Sequence, residues 1–442
     1  MLLRKKIKKS AHFLLAVFAY WFYGRPARKL IIVGVTGTKG KSTTCRFIAS
    51  VLESGGYKVG MLTTVEFQIN EKRWPNKMKM TMLGRGLTQK MLKQMVNAGC
   101  RYAVVETSSE GILQYRHFGL RYDIAVFTNL APEHVEAHGG FENLKRDKGK
   151  IFLELEKYSR KNIVGEKIKK IIVANADDAN AEYFLNFNAD EKWIIGLRTA
   201  DFSSLDASGM SRIFGRIIIG GFDGVNFEAN GKHYKINIVG GFNVYNALAA
   251  IAVGKSQGIS EEKIAEGLAS VKIVHGRMEF IDEGQNFKVV VDYAHEPLSL
   301  TELFTALRSI SGGNKIIAIV GSDGGGRDKS KRVKMGEIAG LMADYVIITD
   351  VNCFDEDPRE IAEMLAVGAC KAGKEENKNL FIEIDRKKGI EKAISLANVG
   401  DIVAITAKGA EPCIVVANGK KIPWDDRGVA REKIIQKLKI VN

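Results

Sequence analysis

The segment LIIVGVTGTKGKSTT, residues 30–44, constrains the fold more than any other stretch of the chain. It opens with an unbroken apolar run, the pattern of a strand buried on both faces. Helix-forming residues follow from Ser42 to Ser54, and Gly55-Gly56 stop them. The glycine-bearing turn between strand and helix is a place where backbone N–H groups point at an anion on a helix N-terminus. The common phosphate loop carries a glycine separated by four residues from its Gly-Lys-[Ser/Thr] triplet. Counting back from Gly40, that position holds Val35, and the nearby glycines are Gly34 and Gly37. The segment is therefore a variant phosphate loop, in which Lys41 reaches β/γ phosphates and Ser42 ligates Mg²⁺. An ordinary glycine-rich turn is the alternative, and Gly-Lys-Ser-Thr after so strong a strand argues against it.

Downstream the pattern alternates. KVGMLTT, YAVVETSS, IAVFTNL and KIIVANADD read as buried strands, and GLTQKMLKQMVNAG has apolar residues at helical spacing. This rhythm means a mostly parallel sheet with helices on both faces. Residues 190–240 switch to short alternating strands, read as antiparallel hairpins at the domain edge. After IVHGRMEF, residues 273–280, a second series begins with FKVVVDYAH, KIIAIVGSDGG, DYVIITDVN, LFIEID and DIVAITAKGAE. A chain of 442 residues exceeds one core. The expected organisation is α/β throughout: an arm at 1–29, a central P-loop-type ATPase domain at 30–274 with a mostly parallel sheet, and a C-terminal Rossmann-like domain at 275–442.

The net charge of +15 suggests nucleic acid, but its distribution does not. Residues 1–30 hold eight Lys/Arg and no acid, so about half the excess sits in the arm. The remainder is a modest surplus suited to phosphate-bearing substrates, and no nucleic-acid partner is expected. Within the arm, the apolar run from Ala11 to Tyr23 spans thirteen residues, short of the roughly 20 that cross a bilayer. It reads either as a helix docked on the next domain or as an interfacial helix at an anionic membrane. Five cysteines, an odd count with no CxxC, point to a reducing cytosol without disulfides or a zinc ribbon.

The loop Gly37-Thr38-Lys39-Gly40-Lys41-Ser42-Thr43 resembles that of the Mur ligase superfamily, which includes the peptidoglycan amino-acid ligases and folylpolyglutamate synthase. Other motifs carry the resemblance further. VVETSSEGILQYR places Glu106 at the carboxyl end of a strand, where a carboxylate holds a hard cation. FTNLAPEHVEAHGGFENLKRDKGKIF is similar to the family segment with a metal-ligating His and a carbamoylated Lys, by position His134 and Lys148. GGFNVYNALAA matches the adenine-side asparagine motif, with Asn243 and Asn246. Arg277 of HGRMEF, and Asp292 and His295 of VVVDYAHEPLSL, correspond to nucleotide-contacting positions. GSDGGGRDKSKR, with Arg327, resembles the ligases that add the third residue of the peptidoglycan stem (MurE type). IDRKKGI and AKGAE echo the same subgroup. There Thr81, Ser108, Gln114 and Arg116 match positions that hold the muramoyl peptide, and Asn352, Lys408 and Glu411 fall in the amino-acid region.

What the resemblance implies is an ATP- and Mg²⁺-dependent ligase. ATP converts a carboxylate of a UDP-muramoyl peptide to an acyl phosphate, and a free amino acid displaces phosphate to form an amide. Lys41 and Mg²⁺ on Ser42, Glu106, His134 and carbamoylated Lys148 stabilise the transfer. The C-terminal domain closes over the nucleotide and brings the amino acid. Such an enzyme is a cytoplasmic monomer of cell-wall biogenesis, serving cell shape and division, with peripheral membrane contact through residues 1–29 open to it.

The chain departs from the subgroup in three ways. Only about 30 residues precede the first core strand, so the N-terminal domain that grips UDP is expected to be absent. That opens the alternative of a lipid-linked acceptor or a polyglutamate. The segment that selects diaminopimelate through an Arg reads DVNCFDEDP, with Phe354 in the Arg position. The subgroup's SSH and GKGHE read Ser108-Ser109-Glu110 and Ala407-Lys408-Gly409-Ala410-Glu411. A relative that has lost catalysis and serves as a membrane-held scaffold is the non-enzyme alternative, opposed by Lys41, Glu106, His134 and Lys148. Isoglutaminyl-synthase-type ligases carry a four-cysteine ribbon this chain lacks, and a P-loop kinase or GTPase leaves the C-terminal half unexplained.

Overall fold

The computed structural model describes residues 2–78, 80–132, 138–197, 209–326 and 328–441, with side chains from 12 to 440. Two compact units divide it, Met1–Lys272 and Ile273–Asn442.

Unit 1 opens with helix α1 (Leu2–Phe22) and is built on strands β1 (Ile31–Thr36), β2 (Val59–Leu62), β3 (Glu66–Ile69), β4 (Lys72–Pro75), β5 (Tyr102–Glu106) and β6 (Ile124–Phe127). A small hairpin, β7 (Asn162–Ile163) and β8 (Glu166–Lys167), precedes β9 (Ile171–Asn175), β10 (Glu191–Gly196), β11 (Ser211–Gly221), β12 (Gly224–Ala229) and β13 (Lys232–Ile236). The main sheet runs β13-β12-β11-β10-β9-β6-β1-β5-β2-β3-β4. From β11 to β2 the pairing is parallel, while β12–β13 and β3–β4 close the two edges antiparallel. Every residue of β1 is buried, as expected for a strand covered on both faces. The edge at β12–β13 is the hairpin region that the alternation over 190–240 predicts. There β10 and β11 still pair in parallel, so the antiparallel character starts one strand later.

Helix α2 (Lys41–Ser54) follows the glycine loop, α3 (Arg85–Asn97) precedes β5, and the short α4 (Ser109–Leu113) follows it. Phe152, on the Phe141–Lys157 helix, packs at a tilt on Phe184, which stacks on Phe127 in the core. At the amino end of the sheet, Asp123 is fully buried between two lysines. Its Oδ2 accepts from Lys161 Nζ (2.6 Å) and Ile32 N (2.9 Å), and its Oδ1 accepts from Lys170 Nζ (2.9 Å). Burying one anion between two cations costs less than burying any of them alone.

Unit 2 holds a second sheet, β14 (Glu279–Ile281), β15 (Lys288–Val291), β16 (Ile316–Val320), β17 (Tyr345–Ile348), β18 (Leu380–Ile382) and β19 (Ile402–Ile405), in the order β14-β15-β19-β16-β17-β18. Only β14 is antiparallel among its described pairings. Arg386 sits inside this unit. Its guanidinium forks onto Asp426 (2.7 and 2.8 Å) and donates to Thr349 Oγ1 and the Thr406 carbonyl. The five cysteines are all free, four of them buried.

Candidate functional site

In an open parallel sheet, ligands bind outside the carboxyl ends of the strands where the strand order reverses. Here β1 lies between β5 and β6, with Val35 beside Glu106 and Thr36 beside Phe127. The loop leaving β1 therefore emerges between the segments that follow β5 and β6. Those segments shape it. Thr38 N donates to the Asn129 carbonyl (2.9 Å), Lys39 N to Asn129 Oδ1 (2.8 Å), and Thr128 Oγ1 to the Lys39 carbonyl (2.7 Å). Gly37 and Gly40 have φ of 149° and 78°. A Cβ on Gly37 would lie 2.0 Å from Thr128 Oγ1, and one on Gly40 would lie 2.3 Å from Asn246 Oδ1. Both positions thus need glycine for space as well as for backbone conformation.

Lys41 opens α2, and its Nζ turns back to donate to the Gly37 (3.0 Å) and Thr38 (2.8 Å) carbonyls. That holds an ammonium over the loop, next to the first-turn N–H groups of Lys41, Ser42 and Thr43, which have no intrahelical acceptor. Ser42 Oγ donates to Glu106 Oε2 (2.8 Å). Glu106 is buried and accepts twice more, from Thr64 N (2.8 Å) and Thr64 Oγ1 (2.9 Å). Lys148, on the Phe141–Lys157 helix, is buried and donates to the Gly37 carbonyl (2.8 Å). His134 lies outside the described residues. Next to Lys148, Asp147 pairs with His138 Nδ1 (2.7 Å) and Lys150 Nζ (2.5 Å).

Asn243 and Asn246 are buried and tied to each other, Asn246 Nδ2 donating to Asn243 Oδ1 (2.9 Å). Asn246 Oδ1 accepts from Thr44 Oγ1 (2.9 Å). The pair therefore braces the start of α2 from the Asn243–Ser256 helix.

Of the predicted acceptor residues, Thr81 joins the same network, and Gln114 and Arg116 form a second one beside it in sequence. Thr64 Oγ1, whose proton goes to Glu106, accepts from Thr81 Oγ1 (3.0 Å), so Thr81 is one residue removed from Glu106. Ser108 caps α4, accepting from Gly111 N (3.2 Å). Arg116 donates to Gln114 Oε1 (3.1 and 2.6 Å) and to the Met82 carbonyl (2.5 Å). Arg85, which the motifs do not single out, donates from Nε to the Gln114 carbonyl (2.9 Å), and its Nη2 is buried without a hydrogen-bond partner among the described residues. Burial lowers the pKa of both arginines, and the charge of Arg116 lowers that of Arg85 further. Such crowding of guanidinium groups suits an anion. Thr64 and Asn129 were also missed, although each stands just past the carboxyl end of a central strand, a position that is itself a signal.

In unit 2 the predicted residues also gather beyond the carboxyl ends of strands. Asp292, after β15, accepts from Met278 N (2.8 Å) and Ala294 N (2.7 Å). Arg277 stacks on Tyr293, 4.5 Å from the ring centre, and His295 Nδ1 donates to the Tyr293 carbonyl (2.7 Å). Asn352 Nδ2 donates to Asp323 Oδ1 (2.7 Å) and Glu411 Oε2 (3.2 Å). Lys408 is fully buried and donates to Glu411 Oε2 (2.9 Å), Asn352 Oδ1 (3.2 Å) and the Cys413 carbonyl (2.9 Å). Its geometry is that of a post that sets Glu411 and Asn352. Phe354 has φ of 53° and lies against Gly325. Arg327 lies outside the described residues.

A family profile described as "Mur ligase middle domain" matches residues 35–254, and one described as "Mur ligase, glutamate ligase domain" matches residues 276–409. The chain is 36% identical over 436 residues to a UDP-N-acetylmuramyl-tripeptide synthetase of Roseiflexus sp. (strain RS-1), covering 97% of this chain and 83% of the relative. It is 36% identical over 424 residues to a UDP-N-acetylmuramoyl-L-alanyl-D-glutamate–2,6-diaminopimelate ligase of Geobacillus kaustophilus, covering 95% and 82%. A solved diaminopimelate ligase of the same name superposes with a TM-score of 0.60 at 27% identity, covering 92% of this chain and 79% of that one. The fold is also that of a Mycobacterium tuberculosis folylpolyglutamate synthase, with a TM-score of 0.65 at 16% identity, covering 92% and 95%.

Proposed function

The chain belongs to the Mur ligase family, as an ATP-dependent amide-bond ligase of peptidoglycan precursor synthesis, and we propose that it adds an amino acid to a UDP-N-acetylmuramoyl peptide. The observation that supports this reading is the unbroken path Ser42–Glu106–Thr64–Thr81, which links the phosphate loop to Thr81, one of the proposed acceptor residues.

The reading assigns roles as follows. The first turn of α2 and Lys41 hold the ATP phosphates. A hydroxyl and a carboxylate within hydrogen-bond reach, both buried, are hard oxygen donors of the kind a small divalent cation takes, so Ser42 and Glu106 fit Mg²⁺. His134 and Lys148 complete the set by resemblance. The ammonium of Lys148 donates to Gly37 and is no ligand in that form; as a carbamate it would present anionic oxygens to the cation. When bound, Mg²⁺ supplies positive charge opposite the phosphates. Arg116, Gln114, Ser108 and Thr81 orient the acceptor. Its carboxylate attacks the γ-phosphorus of ATP, ADP leaves, and an acyl phosphate forms. The amine of the amino acid attacks the acyl carbon and phosphate departs. Glu411, set by Lys408 and Asn352, receives the amino acid. The enzyme works as a cytoplasmic monomer, where ATP and nucleotide sugars are supplied. A lipid-linked precursor is the second acceptor, favoured by the exposed apolar side of α1.

The test is phosphate release from ATP with UDP-N-acetylmuramoyl-Ala-Glu and, separately, lysine, diaminopimelate or other amino acids, with product mass identifying the amide. Release that requires both the nucleotide-sugar peptide and one amino acid supports the assignment. No release with any pair, from protein that binds ATP and Mg²⁺, sinks the UDP-linked acceptor.

A further inference from the structure

Helix α1 has two unlike sides. Ala16, Ala19, Phe13 and Tyr20 face the body of unit 1. Phe13 packs edge-on against Tyr115 (5.4 Å) and Phe118 (5.3 Å), and Tyr20 packs edge-on against Phe118 (5.8 Å). Tyr20 also covers Gly119, where a Cβ would lie 2.4 Å from its ring. The helix is thus seated on residues 115–119, directly after Gln114. On the opposite side Leu14, Leu15, Phe18, Trp21 and Phe22 fall within about a third of a turn at helical spacing. They are 65, 58, 66, 59 and 68% exposed. A large contiguous apolar face on a soluble unit marks an interaction site.

Charge decides what covers it. The chain carries no acidic residue before Glu53, while Arg4, Lys5, Lys6, Lys8 and Lys9 precede the apolar face and Arg25, Arg28 and Lys29 follow it. Arg28 and Lys29 are exposed, and Arg25 lies 4.3 Å from the centre of the Trp21 ring. A second copy on this face would bring two such basic arms together, which like-charge repulsion opposes. No described helix is long and apolar enough to cross a membrane. An apolar strip with aromatics, flanked by cations at both ends, instead matches a helix lying in the headgroup boundary of an anionic bilayer.

We infer that α1 binds the surface of an anionic phospholipid membrane through Leu14, Leu15, Phe18, Trp21 and Phe22, with its basic flanks on the headgroups. Bound this way, the helix holds the 114–119 segment close to the bilayer. The inference does not depend on the ligase assignment, because its readout is lipid binding.

The experiment is co-sedimentation of the full chain with phosphatidylcholine vesicles, with and without about 30 mol % phosphatidylglycerol. The comparison protein is the Leu14→Glu/Phe18→Glu double variant. Both substitutions are on solvent-facing positions, and matched unfolding curves and matched ATP turnover check that the body is unchanged. The expected result is partition onto anionic vesicles roughly tenfold or more above neutral ones, lowered about tenfold by the double variant and weakened by salt. Equal partition of the two proteins overturns the inference. So does self-association that the double variant abolishes while vesicles are ignored, which would give the face to a second copy. Absence of ATP turnover in both proteins would count against the ligase reading alone.

Discussion

Glu154 offers a test of the buried electrostatics behind the site. It lies on the helix that carries Lys148, with Oε1 3.8 Å from His117 Nε2. Its Oε2 is buried without a hydrogen-bond partner among the described residues. Burial pushes its carboxyl from the ordinary 4.5 to about 7, against the pull of Lys157, Lys170, Lys161 and Arg121. His117 is held down from 6.5 to about 4, first by burial and then by Lys150 and Lys157. Between those values both groups sit neutral in the folded protein.

Glu154→Gln removes one ionisation and keeps the shape. From pH 4.5 to about 7 the folded wild type holds a proton that the unfolded chain has released, so its stability falls as pH rises. At about 1.4 kcal/mol per pH unit, the interval of 4.5 to about 7 makes the loss about 3 kcal/mol. The variant escapes it. Near pH 4.5 Gln mimics the protonated carboxyl and the two proteins should be about equally stable. By pH 8 the variant should be ahead by about 3 kcal/mol. His117 titrates in the other direction, losing stability as pH falls from 6.5 through about 4, but it does so in both proteins and cancels in the difference. Urea unfolding of each protein across this range, followed by tryptophan fluorescence, measures that difference. A flat difference would refute the argument, since Glu154 would then ionise as an ordinary exposed carboxylate.

Lys41→Ala should lower ATP-dependent phosphate release by roughly 100-fold or more with little movement of the unfolding midpoint, because the hydrogen bonds described for its ammonium go to carbonyls of the loop it serves; unchanged release would remove Lys41 from the chemistry. Arg85→Met should raise the KM for the muramoyl peptide about tenfold, as for loss of one charged hydrogen bond, while leaving the KM for ATP alone. An equal rise in both would make Arg85 a structural residue. Asp123→Asn leaves Lys161 and Lys170 buried without their anion and should cost about 3–5 kcal/mol, read by chemical denaturation, with turnover per folded molecule retained because the triad lies at the amino end of the sheet.

How much of this was legible in the sequence follows from what each residue depends on. Ser42 and Glu106 could be found because an α/β chain puts its chemistry at the carboxyl ends of strands, and both positions can be read from local pattern. Thr64, which holds Glu106, could not, because it reaches that carboxylate only through the register of β2 with β5. Lys148 is matched by the family motif, but its bond to the Gly37 carbonyl depends on how the Phe141–Lys157 helix packs and cannot be read from local pattern. Lys408 shows the same limit from the other side. A lysine inside a matched motif reads as a ligand contact, yet Asn352, Glu411 and the Cys413 carbonyl surround it and bury it completely. The arm was half legible for a different reason. Its apolar run begins at Ala11, but the helix extends back to Leu2, because Arg, Lys and Leu are good helix formers and nothing in the basic segment breaks them. Local propensity thus carries a helix into residues that periodicity alone assigns to a charged tail. The same continuity places the charges of that tail on the rigid element that exposes Leu14, Phe18 and Trp21, so cationic and apolar attraction act through one helix.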